Sequence, residues 1–550
     1  MFSDLEEFSE VIHQGGFVGL AQINPVAGNL AYNSSKIIDF IQKAEDAGLD
    51  LIVFPEYSLL GASLEDFIKR YPFILDEEQK YLNEIARKTL RITVLLGFVD
   101  KNQESAYAVL RWGRVDKIIP KSDYITSKLL NDGVEYYIRL VSIPSKPSTE
   151  INRKNKLVDI AKTNKRPILE VNQVGAIDAN SYAGLSCAYD EEGKLIARAK
   201  GFEEQLLVVN PFRKIGRIFE ENIPVPPQSF TLDYEWDIER TYKSSVQGIK
   251  DYFAKCGLKR AVLGLSGGLD STVSAVLLVD ALGKENVFGV SMPSKLTSVE
   301  SKSDARQLAE NLGIGFAEVS IKQMYEVNEA CFNNLFSKVE QSWDCRYKQS
   351  FTPDNIQARS RAMYLWGVAN EFASCIPIAT SDKSELYMGY ATINGDMSGG
   401  FAAIADITKT KLFALARWMN KNREQKNVIP ESVLLKRPGA ELAIDPNTGK
   451  TLCAEDALMP YEFLDEIIWR IENQQESYQQ MLEAEFIYEK KMNITQAQKK
   501  EWLDKFYRRM SFALYKGFIM PPYTIIEDET INKTAYLQPI TSSSVDYKGI

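Results

Sequence analysis

The chain has 550 residues, 45% apolar and 25% charged, a globular composition on a length that exceeds what one core serves, so two domains are expected. Its formal charge of −9 gives no long-range attraction toward a phosphate polyanion or an anionic membrane surface, which argues against nucleic acid and membrane as partners. No basic segment followed by an apolar one opens the chain and no apolar run is long enough to span a bilayer, so a cytoplasmic protein is expected.

The first half alternates strand and helix patterns: GFVGLAQINP from Gly16, the amphipathic SSKIIDFIQKAEDAG, then LDLIVFPE, then RITVLLGFVD from Arg91. Hairpin-like pieces follow around Gly113 and Gly193, where turn residues separate alternating apolar strands, so this sheet is predicted to be mixed. Residues 211–232 carry four prolines and little periodicity and read as a linker laid over a surface. A helix then ends near Cys256 and Gly257, and the buried strand RAVLGLS leads through a glycine turn into the apolar helix STVSAVLLVDAL. VFGVSMPS and IGFAEVSI repeat the strand pattern, and the long helix DNIQARSRAMYLWGVANEFA runs into the short strand CIPIAT, an order that predicts a doubly wound sheet. Two more helices follow, the second opening with Thr495 and Gln498 in capping-box spacing, and the last twenty or so residues read as a polar tail.

The reactive side chains narrow the chemistry. Cys187, Cys256, Cys331, Cys345, Cys375 and Cys453 lie far apart with no CxxC pair, which argues against a disulfide framework and a zinc cage. His13 is the only histidine, so a Ser-His-Asp or Cys-His mechanism would rest on that one side chain. The chemistry therefore falls to carboxylates, amines, metal or ATP.

The strongest motif is LSGGLDS, Leu265 to Ser271, between an apolar strand and a helix N-terminus. Gly267 and Gly268 let the backbone approach a phosphate, the free amides and the helix dipole favour the anion, and Ser266 and Ser271 add hydroxyl donors. No lysine follows the glycines, so this is not the GxxxxGK[ST] loop. Asp270 instead offers a carboxylate for Mg²⁺, which suits a site that releases pyrophosphate.

The heptad resembles the SGGxDS loop of ATP pyrophosphatases, and the rest of the second half resembles NAD synthetase. DNIQARSRAMYL is similar to that family's ENxQAR helix, ATSDKSELYMGYATINGD to its GTxNKSE...GYxTxYGD stretch, and DITKTKLFALARWMN to its KT helix, all in the family's order. The resemblance implies that Ser266, Gly267, Gly268, Asp270 and Ser271 hold ATP phosphates and Mg²⁺, and that Thr380 contacts the adenosine. It further implies that Lys409 neutralises phosphate charge and that Asn355 and Glu385 meet deamido-NAD, with Glu385 also at the metal. The implied reaction adenylates the nicotinate carboxylate of deamido-NAD with ATP, after which ammonia displaces AMP. Two departures stand out: Gly439 replaces the serine of the family's PSAEL, and Tyr507 stands where its KRRQ has a lysine, leaving Arg508 or Arg509 to substitute. They motivate one alternative, amidation of another carboxylic acid; a non-catalytic nucleotide sensor is a second.

In the first half, LIVFPEYSLLG with Glu56, KIIPKSDY with Lys121 and PILEVNQVGAID resemble the nitrilase superfamily. The resemblance implies a glutaminase using a glutamate base, a lysine and a cysteine nucleophile. No cysteine lies between Lys121 and Asn172, and Tyr124 to Pro144 is too short for the family's cysteine-bearing strand and elbow. Cys187, in the later LSCAYD strand, reads as a buried small residue. The expectation is a degenerate glutaminase, with the second half fed by free ammonia or by a separate donor.

The predicted architecture is α/β throughout. A nitrilase-like α-β-β-α sandwich spans 1–210, a linker 211–240, a doubly wound parallel-sheet PP-loop domain 241–525 and a polar tail 526–550. A homo-oligomer is expected, with Mg²⁺ as cofactor and ATP, deamido-NAD and ammonia as partners.

Overall fold

Strands Val18–Gln22 and Leu51–Val53 are apolar at consecutive positions because both of their faces are covered. Leu20, Val53 and Leu95 point toward a second sheet, into a core shared with Ile138, Leu169 and Ala188. Ala21, Ile52, Val94 and Leu96 point the other way, against the helices Leu30–Ala47 and Ile74–Lys88. The computed structural model describes residues 1–12, 15–62, 64–127, 136–223, 226, 229–231, 235–343, 350–439 and 453–530, so His13, Cys345 and the segment Ala440 to Leu442 lie outside the described residues. Two compact units, Met1–Val225 and Pro226–Ile550, divide the chain within the expected linker.

The first unit is an α-β-β-α sandwich. Its larger sheet has seven strands in the order Ile215–Gly216, Gln205–Asn210, Val18–Gln22, Leu51–Val53, Thr93–Val99, Ser105–Arg111 and Arg114–Pro120, mixed as the sequence predicted. Its smaller sheet runs Leu195–Arg198, Cys187–Tyr189, Ile168–Asn172, Tyr137–Val141 and Ile125–Thr126. The helix Pro147–Asn164 covers the outer face of this sheet through Leu157 and Ile160. Ile125–Thr126 pairs antiparallel with Tyr137–Val141, so the short stretch noted in the sequence closes the sheet edge; residues 128–135 within it lie outside the described residues.

Elements of the second unit are numbered within it. Helix α1 (Glu235–Lys255) precedes β1 (Arg260–Gly264), α2 (Leu269–Leu282), β2 (Val287–Ser291), α3 (Val299–Leu312) and β3 (Gly315–Glu318). Then come α4 (Thr352–Glu371), β4 (Cys375–Ala379), α5 (Lys383–Tyr387), β5 (Phe401–Ala402), α6 (Lys409–Asn422), α7 (Tyr461–Trp469) and α8 (Gln496–Gly517). The five strands are parallel in the order β3-β2-β1-β4-β5. Ala261 and Leu263 pack with α1, α2 and α6 on one face, and Val262 packs with Leu365 of α4 on the other, so the sheet is doubly wound. Thr495 caps α8 and Gln498 returns the bond, as the spacing predicted.

Two boundaries differ from the sequence reading. Helix α1 starts at Glu235, six residues before the domain start drawn at 241, and Phe230 is already in the core. At the other end Ile526 is 1% exposed and packed into the same core, so the domain runs past 525 into the segment read as tail. Glu527, Asp528 and Glu529 made that stretch look polar, but Glu527 and the backbone of Glu529 are bound to internal lysines.

Candidate active site

In a parallel doubly wound sheet, ligands bind beyond the carboxyl ends of the strands, at the point where the strand order reverses. Here that point lies between β1 and β4, and the loop leaving β1 is Leu265 to Gly268. Gly267 has φ +76°, and a Cβ on it would stand 2.1 Å from the carbonyl oxygen of Ser301 on α3, so only glycine closes this turn. Gly268 is the N-cap of α2, its amide donating to the Ser266 hydroxyl at 3.1 Å. The hydroxyls of Ser266 and Ser271 meet at 3.1 Å, and Ser271 donates to the Gly268 carbonyl. Backbone amides at a helix N-terminus with two adjacent hydroxyls form a cradle for a phosphate.

Asp270, in the first turn of α2, faces Lys409, the first residue of α6. The Lys409 ammonium lies 2.6 Å from Asp270, 2.7 Å from Asp382 and 3.1 Å from Glu385. Asp382 is the N-cap of α5, accepting from the Glu385 amide at 2.9 Å, so one helix start delivers two carboxylates. Thr408 makes no side-chain cap for α6. Instead the Ser384 hydroxyl accepts from the Lys409 amide at 2.9 Å and donates to Asp465 of α7, which also accepts from the Thr410 amide at 2.8 Å. Lys409 is thus held by its backbone as well as by its charge.

Burial raises the pKa of Asp382 and of Glu385, with the neighbouring carboxylates adding to the shift and Lys409 opposing it. Burial alone would depress Lys409, but Asp270, Asp382 and Glu385 hold it well above the ordinary lysine range. Three carboxylates against one ammonium leave two negative charges uncompensated when all are ionised. One oxygen from each of Asp270, Asp382 and Glu385 can gather within 4.8 Å of one another, a set of hard ligands that fits a divalent cation.

The remaining expected residues lie on the same unit. Thr380 follows β4 directly, half-buried. Asn355, in the first turn of α4, accepts from the Thr392 hydroxyl at 2.9 Å in the loop Gly389 to Asp396. Arg508 of α8 is exposed, whereas its neighbour Arg509 donates to the Met388 carbonyl and Lys516 to the carbonyls of Gly389 and Ala391. Tyr507 packs against Tyr478 and Phe506, and Gly439 is exposed at the border of the described residues. Sequence reasoning missed Asp382, Ser384 and Asp465. The spacing of Asp382 and Glu385, an N-cap followed three residues later by an acid, was a signal for the first of these.

In the first unit Glu56 follows Leu51–Val53 and Lys121 follows Arg114–Pro120, and their charged ends meet at 2.6 Å. Gly97 makes room: a Cβ there would stand 2.4 Å from the Pro55 carbonyl oxygen and 2.6 Å from Glu56 Cα. Ser142 donates to the Glu56 carbonyl at 2.6 Å and lies 3.1 Å from the Gln173 side-chain oxygen. Cys187, the one cysteine of residues 1–225, is buried in the smaller sheet with Leu157, Ile160, Ile168 and Tyr189. Burial, with Glu170 adding, pushes its thiol up to about 12, so it is not a poised thiolate.

These features define the class: a nitrilase-like unit followed by a parallel-sheet unit of the ATP pyrophosphatase type. Residues 17–128 match the carbon-nitrogen hydrolase family and residues 241–509 the NAD synthase family. The glutamine-dependent NAD(+) synthetase of Synechocystis sp. is 31% identical, over 88% of this chain and 94% of that protein. That of Thermotoga maritima is 32% identical, over 82% and 88%. The structure of the glutamine-dependent NAD+ synthetase from Acinetobacter baumannii in complex with ADP is 25% identical and superposes with a TM-score of 0.66 over 95% of this chain and 98% of that one. The chain belongs to the glutamine-dependent NAD(+) synthetase family, and it is an ATP-dependent ligase of the NAD synthetase type. Among the described residues no helix is long and apolar enough to cross a membrane.

Proposed function

We propose that this chain amidates deamido-NAD with free ammonia, or with ammonia from a separate protein, and that its nitrilase-like unit releases none from glutamine. The observation that carries this reading is Cys187. A glutaminase of the Glu-Lys-Cys kind needs a thiolate beside the carboxylate and the lysine, and the one thiol of residues 1–225 is buried among apolar side chains in the smaller sheet. Without an acyl-enzyme, Glu56 and Lys121 alone do not cleave an amide.

In the ligase unit, the loop amides at Gly267 and Gly268 and the hydroxyls of Ser266 and Ser271 receive the ATP phosphates, and Thr380 meets the adenosine. Asn355 and an arginine of α8 meet deamido-NAD. Two anions must approach each other, the nicotinate carboxylate and the α-phosphate, so charge screening is a physical requirement of the step. Lys409 supplies part of it from a position fixed by Ser384 and Asp465. Mg²⁺ is the cation that Asp270, Glu385 and Asp382 would hold, and it would supply the rest. The carboxylate oxygen then bonds to the α-phosphorus as pyrophosphate leaves, and ammonia attacks the mixed anhydride and releases AMP.

Purified protein supplied with deamido-NAD, ATP and Mg²⁺ is expected to form NAD with NH₄Cl and not with glutamine. Equal rates with the two donors would contradict the proposal.

A further inference from the structure

We propose that the segment from Pro522 to Thr530 is a positioning strap for the nucleotide site, acting through Ile526 and Glu527, where two buried charge networks meet. The inference rests on the reading of Asp270, Glu385 and Lys409 as the ATP site and adds what holds them in place.

The first network centres on Lys383, between Asp382 and Glu385 in sequence and fully buried. Its ammonium reaches Glu472 at 2.8 Å, Asp406 at 3.3 Å and the Glu529 carbonyl at 2.7 Å. Asp406 in turn accepts from the amides of Ile526 and Glu527 at 2.7 and 3.0 Å. The second network centres on Lys411, two residues beyond Lys409. It lies 2.6 Å from both Asp237 and Glu527, and Asp237 also pairs with Arg240, which donates to the Ile526 carbonyl at 2.9 Å. The strap therefore grips the starts of α5 and α6 together, the two elements that carry Asp382, Glu385 and Lys409.

The strap is also fitted sterically. The Pro522 carbonyl accepts from the Ala402 amide of β5 at 2.9 Å, extending contact to the sheet edge. Where it crosses α1 the helix has Gly248, and a Cβ there would stand 1.9 Å from the Thr524 hydroxyl oxygen. A glycine inside a helix costs roughly 1 kcal/mol relative to alanine, a penalty that makes sense where another chain segment needs the space. Buried charges are costly unless fully paired, so loss of the Glu527 contact throws Lys411 more heavily onto Asp237, which Arg240 shares, and shifts α6 with it.

Two mild variants test this in the full chain, with ATP-dependent AMP formation measured in deamido-NAD and saturating NH₄Cl. Glu527→Gln removes one charge from a side chain that is 20% exposed, and Gly248→Ala pushes on Thr524 without touching any charge. Both are expected to raise KM for ATP about fivefold and lower kcat about tenfold while the circular dichroism stays that of the parent, and Glu527→Asp is expected to recover part of the loss. A merely structural role would reduce the active fraction and leave KM unchanged. Parental KM and kcat in both variants would overturn the strap. Asp270→Asn, run in parallel, separates the two claims: its inactivity beside parental strap variants refutes the strap alone, and its full activity refutes the site reading on which the strap rests.

Discussion

Gly267 shows how a single position is dictated by the loop it serves. Its φ of +76° and the Ser301 carbonyl that a Cβ would meet at 2.1 Å leave no room for a side chain. Gly267→Ala is therefore expected to lower stability by about 1–3 kcal/mol and to reduce AMP formation more than any change in melting temperature explains. Parental kinetics in that variant would mean that the loop does not touch the phosphates. Cys187 is the opposite case, a side chain that its apolar surroundings hold as a buried thiol. Cys187→Ala deletes one buried sulfur and is expected to leave the ammonia-dependent rate within twofold of the parent, at a cost of about 1–2 kcal/mol in stability. A selective loss of glutamine-dependent turnover in Cys187→Ala would make it a nucleophile after all.

At the scale of elements, the contiguous signals were legible and the assembled ones were not. LSGGLDS announces itself because strand, glycine turn, hydroxyls and helix start lie within a few residues, and the parallel strands announce themselves as apolar runs covered on both faces. Lys409 and Asp270 are 139 residues apart, and their meeting with Asp382 and with Asp465, which caps the α6 start, is a product of the winding of the sheet. The strap stayed hidden for a different reason. Its acids read as solvated, yet Glu527 is half-buried against Lys411, and the backbone carbonyls of Ile526 and Glu529 accept from Arg240 and Lys383. Helix Ile74–Lys88 in the first unit carries a related anomaly. Glu78 is fully buried, its carboxylate accepts from the Val99 amide, and burial raises its pKa to about 8. The folded value lies above the unfolded one, so Glu78 contributes stability below about pH 4.5, where both states are protonated. That contribution is lost as pH rises through about 8. Glu78→Gln is expected to flatten the fall in melting temperature between pH 5 and about 8, a change on the order of 2–3 kcal/mol. An unaltered slope in that variant would place the titrating group elsewhere.

For the whole molecule, two units of different legibility share one chain. The family of the ligase unit could be read from motifs that stand in the order of the NAD synthetases, and the family match over 241–509 agrees with that assignment. The nitrilase-like unit could be read as a fold, from strand alternation and the Glu56 and Lys121 segments, while its activity is a matter of whether a thiol stands beside that pair, which is proposed to be absent. The relatives are named glutamine-dependent, so the nitrogen source is the point on which this chain is proposed to depart from them. Whatever the nitrogen source, the turn after β1, with Asp270 and Lys409, is proposed to position the α-phosphate of ATP for attack by a carboxylate. The direct test is AMP formation by Asp270→Asn with deamido-NAD, ATP, Mg²⁺ and NH₄Cl. A rate reduced about a hundredfold or more, in a protein that melts as the parent does, is expected. AMP formed at the parental rate would mean that Asp270 takes no part in positioning the phosphate.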